Sequence, residues 1–516
     1  MPDTTFCVKL NPMTSTPRTA GLLAALLLSA AAPATAGTKV PGVRGPLPVT
    51  ATSYPFGAAD HTRVPTDLKA VGYIEEEFLV AGTANVYDWP GPGPAVIRTA
   101  GVPYVTRVLI RRPADKARFS GNAIVEMLNP SNLFDLNIGW AISGREMTRR
   151  GDAWVGITAK PVSIATLRTF NPERYAALAM ANPLPVDSPA NCSTVASDSA
   201  RTTENGLAWD IHTQVGAWLR SRSASNPLLY GTDAGAAHPV QRLYAWGYSQ
   251  TGSFLYTYVN AIHPLVVKED GRSMFDAYLI AVASGPTPIN QCAPAIAAAD
   301  PRRFIRNAGV PVVRVMSQSD YLSGIAARRP DSDVAPDLYR NYEIAGSAHA
   351  TPDELNFAAR SADIEKGGRA VPPMDCNEGP RSRFPNWPAF NAILRNLDTW
   401  VRTGTPAPRA EPILVVDGKP VLDRFGNVVG GIRSPFVEAP VSTWYGNSTG
   451  ESFCRIAGHE VPVERLVLKT IYASPDDYVR AVIASVSRLV VEGFIVQEDA
   501  DELLADAKRQ APELLK

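Results

Sequence analysis

The residues best suited to chemistry lie in the run Leu243-Tyr-Ala-Trp-Gly247-Tyr248-Ser249-Gln250-Thr251-Gly252. Arg242 to Trp246 reads as an apolar strand, the serine is flanked by glycines, and Gln250 to Ile262 reads as a helix that begins at once. A tight strand-to-helix turn of this kind holds one side chain in a strained conformation and exposes its hydroxyl as a nucleophile. Nearby glycines let strand and helix approach without a Cβ clash. The Gln250 amide, at the helix start, is placed to donate to a developing oxyanion. Thr251 stands where the usual G-x-S-x-G pattern carries its second glycine, so the motif alone is weak and its flanks carry the reading.

A serine needs a base to take its proton, and the base needs an acid to orient it. On a turn of this type the partners follow in the order serine, acid, histidine, each just past a strand end. Val310 to Met316 reads as a strand with Asp320 beyond it, and Tyr342 to Ala345 as the next, followed by Gly346-Ser-Ala-His349. The chain has six histidines. His61 precedes the core, His212 lies within a helical stripe and His238 comes before the nucleophile strand. His263 closes the following helix, and His459 falls in a glycine-rich stretch. Only His349 has both the order and the loop position of a base. Asp331, Asp333 and Asp337 are the rival acids to Asp320, but they fall in what reads as a proline-rich, solvated loop.

The second oxyanion donor is expected after the strand Ala123 to Leu128, in Asn129-Pro130-Ser131-Asn132. Pro130 has no N–H, which leaves the amides of Ser131 or Asn132, or the Asn129 side chain. An ordinary Asn-Pro turn reads equally well.

These residues need a scaffold that alternates strand and helix. Strands are expected over Gly72 to Val80, Pro103 to Arg112, Asp152 to Thr158 and Ala277 to Ala283. A helix is expected over Ile138 to Arg150, capped by Gly151, and another along the four-residue repeat Leu207, Ile211, Val215, Leu219. The pattern predicts an α/β fold with a mainly parallel sheet flanked by helices. Residues 161–204, rich in Pro and Asn, read as a cap-like excursion from a catalytic core spanning 37–405. Residues 406–516 read as a C-terminal elaboration: Asp417-Gly418, Gly426-Asn427 and Gly430-Gly431 suggest hairpins, and Ser474-Pro475-Asp476-Asp477 an N-capped helix.

Composition narrows the setting. With 45% hydrophobic residues the 516-residue chain can bury a large core. Its 50 basic and 50 acidic residues cancel, which argues against nucleic acid or an anionic membrane as partner. Residues 1–36 read as an export signal: Arg18, the apolar run Ala20 to Ala32, and Ala34-Thr35-Ala36 before Gly37, with Met13 an alternative start. That run is too short to span a bilayer, so no stable membrane insertion is expected. A periplasmic or extracellular location follows. Cys192, Cys292, Cys376 and Cys454 would then form two disulfides, with three connectivities open.

Several segments together resemble the α/β-hydrolase superfamily, and within it an exported branch known as α/β hydrolase domain-containing proteins. They are Glu76-Glu77-Phe-Leu-Val-Ala-Gly82, Leu128-Asn-Pro-Ser-Asn132, Trp246-Gly-Tyr-Ser-Gln-Thr-Gly252, Glu343-Ile-Ala-Gly-Ser-Ala-His349, Gly426-Asn-Val-Val-Gly-Gly-Ile-Arg433 and the terminal Asp476-Asp-Tyr478. The resemblance implies the α/β-hydrolase fold with a triad of Ser249, Asp320 and His349, and a Ser-Gln-Ser/Thr-Gly elbow that accounts for Thr251. The expected activity is hydrolysis of a small-molecule carboxylic ester through an acyl-enzyme, without metal or organic cofactor. Trp140, Trp209 and Tyr321 would line an apolar or aromatic subsite, unless they are core. An acyltransferase using the same triad, or a non-catalytic binding protein on the same fold, are the competing readings; the presence of all three triad residues counts against the latter. Neither the substrate nor the oligomeric state is legible.

Overall fold

The structure, a computed structural model, describes residues 38–230, 238–266 and 272–516. The expected export signal, residues 1–36, lies outside the described residues. Ten strands form one sheet in the order β1-β2-β3-β5-β4-β6-β7-β8-β10-β9. The strands are β1 (Gly42–Arg44), β2 (Tyr73–Asp88), β3 (Val96–Pro113), β4 (Asn122–Met127), β5 (Ala153–Ile157), β6 (Arg242–Tyr248), β7 (Ala277–Ala281), β8 (Val312–Ser317), β9 (Ser332–Val334) and β10 (Asp337–Ile344). From β5 through β4, β6, β7 and β8 to β10 every pairing is parallel. The first three strands and β9 add antiparallel edges. This is the expected α/β-hydrolase fold.

The central strands are buried along their whole length, as a sheet covered on both faces requires. Helix α1 (Ile138–Arg150) ends where expected: Gly151 takes φ 76°, and its amide donates to Met147 O. Its start is held less obviously. Asn137 makes no side-chain cap, and the buried Glu126 on β4 takes that role, accepting from the amides of Gly139 (2.7 Å) and Trp140 (3.2 Å) and from Trp154 Nε1 (2.7 Å). Burial pushes the Glu126 carboxyl up to about 7 against those three donors. The stripe Leu207, Ile211, Val215 and Leu219, which starts in the turn before α3 (Ala208–Arg220) and continues along it, is fully buried. His212 on the same helix stacks on Phe275, and burial drives its imidazole down to about 3. It is a packing residue.

A buried ionic cluster ties β2 and β3 to the loop after β4. Arg107 Nη1 is 3.3 Å from Glu77 and its Nη2 3.1 Å from Asp135; Arg174 Nε donates to Glu77 at 2.6 Å. Breaking such a cluster strands a charge in low dielectric, at a cost of about 3–5 kcal/mol. Arg107→Ala is therefore expected to lower unfolding free energy by that amount in a urea titration. A loss under about 1 kcal/mol would show that Arg174 and Tyr175, whose hydroxyl also donates to Glu77 (2.8 Å), compensate.

Two expectations are corrected and one is refined. The helix after Ser249 spans Gln250 to Ile262 as expected, but α4 (Gln250–Thr257) widens into a π-turn over Tyr258–Ile262, ahead of Pro264, which has no N–H to give back to residue 260. Asp331, Asp333 and Asp337 do not belong to an irregular loop, although Asp333 is exposed. They flank or form the edge hairpin β9–β10, where Asp333 pairs with Arg340 (2.5 Å) and Arg409 (2.6 Å) and Asp337 with Arg329 (2.8 Å). Gly430-Gly431 makes no hairpin turn. A Cβ on Gly431 would stand 2.7 Å from Glu343 O, so these glycines let the C-terminal segment lie flush against β10, where Ile432 bridges Ile344. Asp417-Gly418 does turn a two-residue hairpin, Val415–Val416 with Lys419–Pro420. Ser474 caps the helix Pro475–Glu492, its hydroxyl accepting from the Asp477 amide.

Candidate active site

β4, β6, β8 and β10 run parallel, so their C-terminal ends share one edge of the sheet, where open α/β sheets hold their ligands. β6 delivers Ser249 to that edge. Ser249 adopts φ 58° and ψ −118°, a conformation a residue with a Cβ rarely takes. The surrounding contacts enforce it. The Ser249 amide donates to Ala281 O on β7 at 2.9 Å. A Cβ on Gly247 would stand 2.2 Å from Thr251 O, and one on Gly252 2.6 Å from Ala281 O. Both positions therefore require glycine. Thr251 meets no such restriction: its Oγ1 accepts from the Tyr248 amide and donates to Tyr248 O, both at 3.0 Å, and so closes the turn. The glycine that a G-x-S-x-G elbow places at position 251 is supplied here by Gly252.

Ile344 lies beside Ser317 in the β10–β8 register, so the loops carrying His349 and Asp320 leave the sheet as neighbours. His349 Nε2 lies 2.8 Å from Ser249 Oγ, and its Nδ1 lies 2.8 and 2.9 Å from the two Asp320 oxygens. Asp320 and His349 are buried; Ser249 is half-buried. Burial alone would lower the imidazole's proton affinity. The Asp320 carboxylate outweighs it, helped by Glu354, so the pKa of His349 is raised.

The geometry sorts the oxyanion candidates. The Ser131 amide is spent on Asn129 Oδ1 (2.8 Å), and Asn129 Nδ2 donates to Tyr248 O (2.8 Å). Asn129 thus ties the loop after β4 to the elbow instead of facing a substrate. Of the sequence candidates, the Asn132 and Gln250 amides are left. Leu133 beside Asn132 takes φ 64° and donates to Pro130 O, which fixes the turn.

Two groups of supporting residues brace the site, and their contacts with it carried no motif. The first belongs to the C-terminal segment. Ile456 O accepts from the amides of His349 and Ala350, Gln318 Nε2 donates to Trp444 O, and Ser319 Oγ to Gly446 O. The hairpin Ser442–Tyr445 with His459–Pro462 therefore clamps both loops, and the Cys376–Cys454 disulfide staples it. The second lies in 161–204, which begins as a helix, α2 (Pro161–Phe170), and then runs irregularly back across β3 through Ala179. Its Asp198 accepts from Gln250 Nε2 (3.0 Å) and from Lys160 Nζ (2.7 Å), while Cys192–Cys292 pins it to the loop after β7. Two disulfides thus resolve the open connectivity.

The three aromatics follow the core alternative and form no subsite. Trp140 lies in the core beside Trp154, with the Arg111 guanidinium over both rings, and Trp209 stacks on Phe254 at 4.2 Å. Tyr321 is also buried. The remaining histidines are engaged elsewhere: His61 with Asp60 and Tyr54, His263 with Tyr278 and Ala308, His459 against Tyr445, and His238 in a bridge with Tyr230. Among the described residues no group of His, Cys, Asp or Glu side chains is placed to hold a metal ion. No helix among them is long and apolar enough to cross a membrane.

A family model described as "Alpha/beta hydrolase domain" matches residues 43–505, nearly the whole chain. The protein belongs to the alpha/beta hydrolase domain family. No curated protein sequence matches it. Among solved structures it is similar to an esterase from the fungus Rhizomucor miehei, at 11% identity and a TM-score of 0.29, covering 56% of this chain and 85% of that one. It is also similar to an α/β serine hydrolase without a lid from Xanthomonas campestris, at 10% identity and a TM-score of 0.25, covering 56% and 91%. A glucuronoyl esterase from Teredinibacter turnerae follows at 11% identity and a TM-score of 0.28, covering 64% and 79%. At these values the likenesses bear on neither substrate nor mechanism of this hydrolase.

Proposed function

We propose that this hydrolase is an exported serine esterase that cleaves a small carboxylic ester through an acyl-enzyme. The observation that carries the reading is the continuous hydrogen-bonded line from Ser249 Oγ through the His349 ring to Asp320. Ser249 Oγ attacks the ester carbonyl as His349 Nε2 takes its proton, and Asp320 holds the imidazole in the tautomer with Nδ1–H. The Gln250 and Asn132 amides receive the oxyanion, each such donor contributing about 2.7–4 kcal/mol to the transition state. His349 then protonates the leaving alcohol, and water repeats the cycle to release the acid. Residues 161–204 serve as a cap, tied to the oxyanion residue Gln250 through Asp198. The two disulfides and the leader-like residues 1–36 support export.

The purified protein is expected to hydrolyse simple aryl esters, and an alkyl fluorophosphonate is expected to label Ser249 and stop turnover. Labelling of another residue, or no labelling together with no turnover, would overturn the assignment.

A further inference from the structure

The Asp320 carboxylate meets a second donor besides the histidine ring. Ser317 Oγ, at the last residue of β8, donates to Asp320 Oδ2 at 2.5 Å, while His349 Nδ1 lies 2.8 Å from that oxygen and 2.9 Å from Oδ1. Among the described residues no Arg or Lys pairs with this carboxylate, so the ring N–H and the Ser317 hydroxyl are its donors.

The fold fixes the place of that hydroxyl. Ser317 is 3% exposed and pairs with Ile344 across β8 and β10. The Asp320 amide donates to Ser317 O at 3.1 Å, closing a four-residue turn that brings the carboxylate back to the strand end. Inside the turn the other polar side chains are spent elsewhere. Gln318 reaches Gly346 and Trp444, and Ser319 Oγ accepts from the His349 amide and donates to Gly446 O.

We propose that Ser317 is a positioning residue acting through Asp320: its hydroxyl fixes Oδ2 and draws charge from it, so that His349 gives up its proton at a lower pH than Asp320 alone would allow. The inference rests on the triad reading of Ser249, His349 and Asp320. A hydroxyl-to-carboxylate bond is charge-assisted, and it strengthens where water is scarce. Without it the ring N–H is the one donor left to Asp320 and feels the whole charge.

Other groups around the imidazole also bear on its titration. Burial presses His349 toward its neutral form, and the Asp320 carboxylate, helped by Glu354, outweighs burial. Glu354 comes from the short helix Asp353–Asn356; burial pushes its carboxyl up to about 7, with Asp353 adding to the rise, and Arg381 Nη1 stands 3.6 Å away. Tyr248 meets His349 edge-on at 5.6 Å, and burial keeps its phenol protonated. None of these groups shares a hydrogen bond with Ser317, so a Ser317 variant acts on the Asp320 contribution.

Two readings from pH 5 to 9 test this: kcat/KM for an aryl ester, and the low-field Nδ1 proton of His349 by proton NMR, identified by its loss in His349→Ala. Ser317→Ala is expected to move both titrations up by about half a pH unit, lowering kcat/KM on the acid limb about three-fold and leaving KM and the alkaline plateau in place. Asp320→Asn moves the activity profile the opposite way, because it removes the charge that Ser317 only moderates. Ser317→Thr keeps the hydroxyl and is expected to titrate as the wild type. Should its methyl not fit, Ser317→Cys, a weaker donor, is expected to fall between the wild type and Ser317→Ala. Titrations of Ser317→Ala that stay in place or move to lower pH would overturn the proposal, as would a shift in Ser317→Thr as large as that in Ser317→Ala. The NMR arm keeps the two readings apart: a shifted His349 titration in a protein without ester turnover counts against the ester reading and not against this one.

Discussion

Ser249→Ala is expected to lower kcat for an aryl ester by about 10⁶-fold while leaving the protein folded. The loss follows from the chemistry: Ser249 Oγ is the atom that forms the acyl bond, and no neighbouring group replaces it. Stability is expected to stay within about 0.5 kcal/mol, because alanine keeps the Cβ and thus inherits the same backbone cost at φ 58°. The Ser249 amide, which anchors the elbow to Ala281, is also untouched. Parallel thermal unfolding and ester assays on the two proteins check both halves of the statement. Retained turnover would place the nucleophile elsewhere.

Asp320→Asn is the second large effect. The Asp320 carboxylate accepts from His349 Nδ1 and is the main reason the imidazole holds its proton more tightly than burial would allow. An amide in its place removes the charge and can donate to Nδ1, which turns the wrong tautomer toward Ser249. A fall in kcat of about 10⁴-fold is expected. The sign of the pH change follows separately. His349 works as a base only when neutral, so wild-type kcat/KM rises with pH through a pKa above the ordinary histidine value. With Asp320 neutralised, burial dominates and that rise moves to lower pH. A profile measured from pH 5 to 9 in both proteins decides it; an unmoved profile would mean that Asp320 does not govern His349.

Much of this arrangement was legible because its signals are local. Strand and helix alternate with clear apolar periods, Gly151 and Ser474 punctuate helices by backbone geometry, and Gly247 and Gly252 bracket Ser249 at positions where a Cβ would collide. The order Ser249, Asp320, His349 left few alternatives because the chain has only six histidines and one of them follows a strand end in that order; the three side chains lie within hydrogen-bond distance. What was not legible depends on contacts between distant segments. Asp331 and Asp333 look like loop acids in a proline-rich run, but Arg340 and Arg409 reach them across the edge hairpin. Trp140 and Trp209 lie close in sequence to the functional loops, while their side chains turn into the core. Ser131 and Asn132 are equivalent by composition; only the Asn129 side chain, by accepting from Ser131, separates them. The clamp of Trp444, Gly446 and Ile456 on the two loops, and the Glu354–Arg381 pair behind His349, have no motif at all.

The central claim is that an acyl group is carried covalently on Ser249. Mixing the protein with a p-nitrophenyl ester, quenching in acid within the first turnovers and weighing the protein by mass spectrometry tests it directly. The account predicts a mass increase equal to one acyl group, localised to the peptide containing Ser249 and formed in step with a burst of nitrophenol. Ester turnover with no adduct on Ser249, in a protein whose His349→Ala variant hydrolyses the ester just as fast, would contradict it.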